Sequence, residues 1–169
     1  MRYIDFDGVI LDTEDILFSN WNLNPNIHNL TEQDKIKYVK NSNWKAIINE
    51  ARELNDALYI LKHSSTYDYT ILTKIHSLEN EGYEKIKFLR EKNIKQNIIL
   101  VPYPLKKTDV VSALHNTLVD DSIANLIDFE TAGGYGLYFN KENKDYDGWG
   151  IHNNKRFQKV RRIDEPIKQ

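Results

Sequence analysis

At 169 residues the chain has the length of one domain, long enough to bury about two-thirds of its unfolded surface without a disulfide or metal staple. Its 23 basic and 25 acidic side chains leave a formal charge of −2, which gives no electrostatic footprint for duplex nucleic acid, and the absence of cysteine excludes disulfides, thiolate catalysis and sulfur-ligated zinc. No apolar run approaches the length of a membrane span and nothing at the amino end looks like a signal peptide, so the expectation is a cytoplasmic protein, monomer or homodimer, with no membrane partner.

The first element is a short apolar strand, Tyr3 to Phe6, that ends in Asp5-Phe6-Asp7-Gly8. Alternate strand residues share a face, so Asp5 and Asp7 point the same way, and Gly8 lets the chain turn immediately after them. Two carboxylates in one small volume stay ionised only if a cation or strong donors compensate, and Mg2+ suits such a set because it takes one or two carboxylates plus waters and phosphate oxygens.

Residues 13–54 contain no convincing strand. Thr31-Glu32-Gln33-Asp34 reads as a helix cap before Ile36 and Val39, and a second helix is expected from Trp44 through Ala51. The region is expected to be a small helical cap lying over the carboxyl ends of the strands, or else an ordinary crossover of unusual length. Trp21, Tyr38 and Trp44 then either stack on a substrate ring or form the core of these helices, and Lys35, Lys37 and Lys40 either attract an anion or line a solvated face.

From residue 55 strand and helix alternate. A helix over Ala57 to Leu61, capped by Asn55 or Asp56, precedes a strand at Tyr69 to Leu72. Tyr83, Ile86 and Leu89 give the apolar face of a helix before a strand at Asn97 to Val101. A strand at Thr117 to Val119, a helix carrying Ile123, Leu126 and Ile127, and a strand at Tyr135 to Phe139 complete the pattern. Gly133-Gly134-Tyr135-Gly136 lacks phosphate-loop spacing and reads as a helix-to-strand turn. The pattern implies an α/β fold, a doubly wound parallel sheet whose core spans residues 1–12 and 55–140. Residues 141–169 form a polar C-terminal extension in which Trp149 and Phe157 are able to dock, with the tail frayed from Ile163.

Ligands of such sheets bind beyond the carboxyl ends of the strands. Asp5 and Asp7 stand at the first of these ends, Thr73 at the second, Asp120 and Asp121 at the fourth, and Lys106 and Lys107 follow the third. Each type serves phosphoryl transfer: a carboxylate nucleophile, a second carboxyl as acid and base, a hydroxyl and a lysine on the phosphate oxygens, and acidic ligands for a metal ion.

Asp5-Phe6-Asp7-Gly8-Val9-Ile10 resembles the first motif of the haloacid dehalogenase-like (HAD) hydrolases. Ile71-Leu72-Thr73 resembles their second motif, Lys107 in Lys106-Lys107-Thr108-Asp109 the third, and Leu118-Val119-Asp120-Asp121 the fourth. The resemblance implies a HAD-like Rossmannoid fold with Asp5 as nucleophile, Asp7 as general acid/base, and Thr73 and Lys107 as phosphate-gripping catalytic residues. It also implies Mg2+ held by Asp5, the Asp7 carbonyl and Asp121, with Asp120 beside them as orienter or outer ligand. Gly8, Lys74 and His76 are expected on the substrate side. The insertion after the first motif and the run from Asp120 to Gly134 look most like the 5'(3')-deoxyribonucleotidase group, although Lys74-Ile75-His76 departs from the small residue or proline more usual there.

The expected activity is therefore that of a Mg2+-dependent phosphomonoesterase working through an aspartyl-phosphate, on a nucleoside monophosphate or another small phosphorylated metabolite. A phosphoacceptor signalling domain gathers similar residues, but it places its reactive aspartate after the third strand, where this chain has Pro102 and Tyr103. A catalytically silent HAD-like binding protein is the third reading, and the intact Asp5 and Asp7 speak against it.

Overall fold

The computed structural model describes residues 1–22, 29–141 and 156–168. A sheet of six parallel strands forms its centre, in the order β3-β2-β1-β4-β5-β6. The strands are β1 (Arg2–Ile4), β2 (Tyr69–Ile75), β3 (Asn97–Pro102), β4 (Thr117–Asp120), β5 (Tyr135–Phe139) and β6 (Gln158–Val160). The first five lie where apolar runs bounded by polar residues placed them. β1 has β2 on one side and β4 on the other, so the strand order reverses beside it. That reversal opens a crevice at the carboxyl end of β1, where Asp5 and Asp7 follow.

Alternation along each strand builds two cores. Ile4, Ile71 and Val119 face one cluster with Leu61, Leu89 and Trp44, whereas Leu72, Leu118 and Val101 face another with Leu126 and Phe129. Helices α4 (Ala57–His63) and α5 (Tyr83–Glu91) pack into the first cluster and α6 (Ile123–Thr131) into the second, so both faces of the sheet are covered.

Among the described residues, three α-helices join β1 to α4: α1 (Thr13–Asn22), α2 (Glu32–Asn41) and α3 (Trp44–Glu50). The Thr31 hydroxyl accepts the Asp34 N–H while the Asp34 carboxylate takes the Thr31 N–H, the reciprocal cap legible in the sequence. Leu17, Val39, Trp44, Ile47 and Ile48 join the same apolar cluster as Ile4 and Phe6. Trp44 is 2% exposed and donates its indole N–H to the Val39 carbonyl, while the Tyr38 hydroxyl donates to the Leu17 carbonyl and its ring meets Trp21 at 5.0 Å. Trp44 is thus a core residue of the helices, while Tyr38 packs half-buried against that core and Trp21 is half-buried beside Tyr38. Chain entry and exit are clasped together, since Asp12 N–H donates to the Arg52 carbonyl and Leu54 N–H to that of Ile10.

Two local expectations are corrected. On α5, Tyr83 and Ile86 face solvent while Lys85 and Leu89 are buried, because Lys85, with Glu81 of the helical turn Leu78–Gly82 just before α5, points at Asp7 and the end of β2, a face that a hydrophobicity pattern does not see. The tail does not fray at Ile163: that residue is fully buried, Phe157 and Val160 are 4% and 1% exposed, and β6 pairs with β5. Trp149 lies outside the described residues. Among those described, no helix is long and apolar enough to cross a membrane.

Candidate active site

β1 ends at Ile4, but Asp5 still joins the sheet, its N–H donating to the Val119 carbonyl at 3.0 Å. Its side chain therefore emerges beside the end of β4, where Asp120 and Asp121 stand. After Asp7 the chain turns sharply, with Ile10 and Leu11 N–H both donating to the Phe6 carbonyl. Gly8 makes the turn with φ of 69°, and a Cβ there would fall inside the Asp121 carboxylate. Only glycine admits that conformation and that close approach together.

Asp5, Asp120 and Asp121 each offer a carboxylate oxygen, and these oxygens lie within 4.8 Å of one another. Lys107, on a 3-10 turn after β3, is 2% exposed, with its ammonium 2.9 Å from Asp5 Oδ1 and 2.7 Å from Asp120 Oδ2. Asp120 is fully buried, and both its oxygens are taken: Oδ1 by the Ser122 N–H at 2.8 Å and Oδ2 by Lys107 and by Asn125 at 3.0 Å. Asp120 is thereby fixed as a brace between Lys107 and the start of α6.

Three carboxylates thus face one ammonium, and the imbalance shows in their acidities. Burial pushes Asp5 up to about 7; Lys107 opposes this, and Asp120 and Asp7 add to it. Asp121 is raised well above the carboxylate range, by burial first and then by Asp120, Glu14 and Asp5. Burial works against the Lys107 ammonium, but Asp120 and Asp5 outweigh it and hold its pKa above that of an ordinary lysine. A hard divalent cation fits this set. The donors are all oxygens, the single ammonium of Lys107 is shared between Asp5 and Asp120, and the charge left over is negative.

Asp7 lies among different partners. Its Oδ1 accepts the Thr13 hydroxyl from the start of α1 at 2.7 Å, and its Oδ2 accepts the Lys85 ammonium at 2.5 Å and, at 3.4 Å, the Thr73 hydroxyl. Thr73 is fully buried within β2, its hydroxyl engaged with Asp7 and Lys85. Of the adjacent lysines, Lys107 reaches the carboxylates while Lys106 extends to Asp128 at 2.9 Å on the surface. Lys74 is half-buried, and its carbonyl accepts from Lys85. The His76 ring stacks on Tyr103 at 5.3 Å and 17°, and its backbone N–H donates to Glu81. Gly8 serves the approach of Asp121.

Sequence reasoning missed Lys85, Glu81, Thr13 and Asn125. The Glu81/Lys85 spacing of four is a familiar signal, but one that reads as an exposed helical ion pair. Here both residues are buried, 2% and 0% exposed.

No protein-family model matches the chain, and no curated protein matches it in sequence. Solved structures do. A HAD hydrolase, family IA, variant 3, from Entamoeba histolytica HM-1:IMSS superposes with a TM-score of 0.57 at 12% identity, covering 98% of this chain and 94% of that one. The chain has the haloacid dehalogenase-like fold. A structure described as a dehalogenase gives 0.55 at 11% identity over 96% and 92% of the two chains, and a HAD-superfamily hydrolase from Ehrlichia chaffeensis gives 0.50 at 9% over 96% and 91%. At these identities the likeness concerns the fold. Within the HAD-like fold the acidic trio, Lys107 and Asp7 occupy the crevice where the strand order reverses.

Proposed function

We propose that the protein is a Mg2+-dependent phosphomonoesterase that works through a phosphoryl group carried on Asp5. The observation that carries this reading is the division of carboxylates at one strand end. Asp5, Asp120 and Asp121 form a set that calls for a cation, and Asp7 is held apart from it by Thr13 and Lys85. A reaction that needs both a nucleophile and a separate proton carrier needs this division.

Asp5 attacks phosphorus, the bond to the leaving oxygen breaks, and Asp7 delivers a proton to that oxygen. Asp7 then takes a proton from water as the water attacks the same phosphorus, and the bond to Asp5 breaks to release phosphate. Lys107, anchored by Asp120, neutralises charge on the transferring oxygens. Asp5 and Asp121, with the Asp7 carbonyl, would hold Mg2+, and Asp120 would orient Lys107 beside it. When bound, the ion balances the carboxylates and the phosphate charge. Thr73, fully buried with its hydroxyl on Asp7 and Lys85, would steady Asp7 rather than grip the phosphate, and Lys74 and His76 would lie on the substrate side. Thr13 of α1 touches Asp7 and Trp44 of α3 covers Lys85, so the inserted helices would choose the substrate, for which a nucleoside monophosphate in the cytoplasm is the first candidate.

Purified protein with MgCl2 should release phosphate from members of a panel of nucleoside monophosphates, sugar phosphates, phospho-amino acids and p-nitrophenyl phosphate, with Asp5→Asn as the blank. Release no greater than the blank on every compound rejects the reading.

A further inference from the structure

Among the described residues, one buried lysine takes no part in this reaction. Lys85 is fully buried, yet its ammonium keeps a charge: burial disfavours it, and Asp7 and Glu81 together more than compensate. Its partners exceed its three N–H donors, with Asp7 Oδ2 at 2.5 Å, Glu81 Oε1 at 2.7 Å, the Lys74 carbonyl at 3.1 Å and Thr73 Oγ1 at 3.2 Å. The rings of Trp44 and Phe6 cover it at 4.9 and 5.4 Å. A leucine or methionine would fill the same space without desolvating a charge, and replacing buried ion pairs by apolar groups is often neutral or stabilising. Packing therefore gives no reason for a lysine here.

The geometry gives one. Lys85 and Thr73 hold Asp7 Oδ2, so Oδ1, shared with the Thr13 hydroxyl, is the oxygen left to exchange a proton with substrate. Glu81 fixes Lys85 in turn, and Glu81 is itself fixed by the backbone N–H of His76 at 2.7 Å. The chain of contacts runs from a residue following β2, through α5, to the carboxylate following β1. Trp44 on α3 and Thr13 on α1 close it from the inserted helices, so sheet and insertion set the orientation of Asp7 jointly.

We propose, resting on the phosphomonoesterase reading, that Lys85 is a positioning residue that acts through Asp7: it fixes the carboxylate in the orientation that serves the leaving oxygen, and Glu81 holds Lys85 in place. Asp7 acts mainly on the leaving group in the first step, which gives a signature that a purely structural lysine lacks. Alkyl phosphates expel a basic alkoxide and depend on the proton; p-nitrophenyl phosphate expels a stable anion and depends on it little.

The test compares kcat/KM for an alkyl phosphate that the wild type hydrolyses and for p-nitrophenyl phosphate, in Lys85→Met, Asp7→Asn and the combination. A second variant, Glu81→Gln/Lys85→Met, removes the ammonium without leaving the Glu81 charge unpaired. Lys85→Met is expected to lose about 100-fold on the alkyl phosphate, the scale of general acid catalysis, and less than about 10-fold on the aryl phosphate. The Ki of inorganic phosphate should stay within about threefold, and adding Lys85→Met to Asp7→Asn should cost little more than Asp7→Asn alone. Equal losses on the two substrates, additive losses with Asp7→Asn, or wild-type rates overturn the proposal. If both lysine variants fail to fold, Lys85 belongs to the fold and the proposal is likewise overturned. A wild type that hydrolyses neither substrate rejects the phosphatase reading itself, and a role for Lys85 in that reaction goes with it.

Discussion

Magnesium should stabilise the protein far more at pH 7.5 than at pH 5. A carboxylate must be ionised to hold a metal ion. Burial, opposed by Lys107 and reinforced by Asp120 and Asp7, raises the Asp5 carboxyl to about 7, and Asp121 is raised in the same direction. Two pH units below that value only about 1% of the Asp5 carboxyl is ionised, so the apparent affinity for Mg2+ falls by nearly 100-fold. At 100 times its dissociation constant a ligand contributes about 2.7 kcal/mol, which raises the Tm of a chain this long by about 8 °C. The same concentration at pH 5 is close to the apparent dissociation constant and contributes only about 0.4 kcal/mol, or about 1 °C. The metal-free protein should run the other way. Where the folded value is raised, the native carboxyl keeps a proton that the unfolded chain has released, so stability is lost as pH rises from about 4 to about 7. Thermal melts in MgCl2 and in EDTA at the two pH values read both trends. Equal magnesium shifts at pH 5 and pH 7.5 would refute the placing of Asp5 in an ion site.

Asp5→Asn should lower kcat by at least about 1,000-fold, the scale seen when a nucleophile is removed, while circular dichroism and the melt remain those of a folded protein. In Gly8→Ala the new methyl meets the Asp121 carboxylate at a backbone angle that L-residues avoid. A cost of about 1–3 kcal/mol is expected in urea titration, together with loss of the magnesium shift, and an unchanged shift would show that Asp121 needs no such closeness. Ile163→Ala removes a side chain with no exposed surface and should cost about 2–4 kcal/mol, against almost nothing for a frayed tail.

The sheet was legible because its strands are buried on both faces and so appear as continuous apolar runs, from Ile71-Leu72 to Leu118-Val119. β6 was not, because Gln158-Lys159-Val160 is an edge strand with one buried side chain, and the surrounding charges read as solvated chain. Asp5 and Asp7 alone read equally well as a strand ending in a polar turn; the acidic residues stood out because Thr73, Lys107 and Asp120-Asp121 follow at the other strand ends. Lys85 did not, because a lysine in an amphipathic helix is ordinarily a surface residue, and only the fold shows that its position in α5 points at Asp7. Thr13 was hidden for a related reason: a hydroxyl at the start of a helix reads as a cap, whereas this one donates to a carboxylate six residues earlier.

The strand period alone sends Asp5 and Asp7 to one face, and two carboxylates there would be interchangeable. What separates them is the break after Phe6, whose carbonyl takes two N–H groups of the following turn instead of a neighbour in the sheet. Before the break, Asp5 remains in register beside β4 and falls under Lys107, Asp120 and Asp121. After it, Asp7 is carried toward β2 and α5, where Thr73 and Lys85 take one oxygen and Thr13 the other. The fully buried Phe6 ring between them packs edge-on against Phe88 of α5 and lies under the Lys85 ammonium, and Gly8 at φ of 69° turns the chain just after Asp7. The break thus leaves two like residues, two positions apart, with different charge partners. A nucleophile that shares a cation and an acid/base that does not must differ in this way.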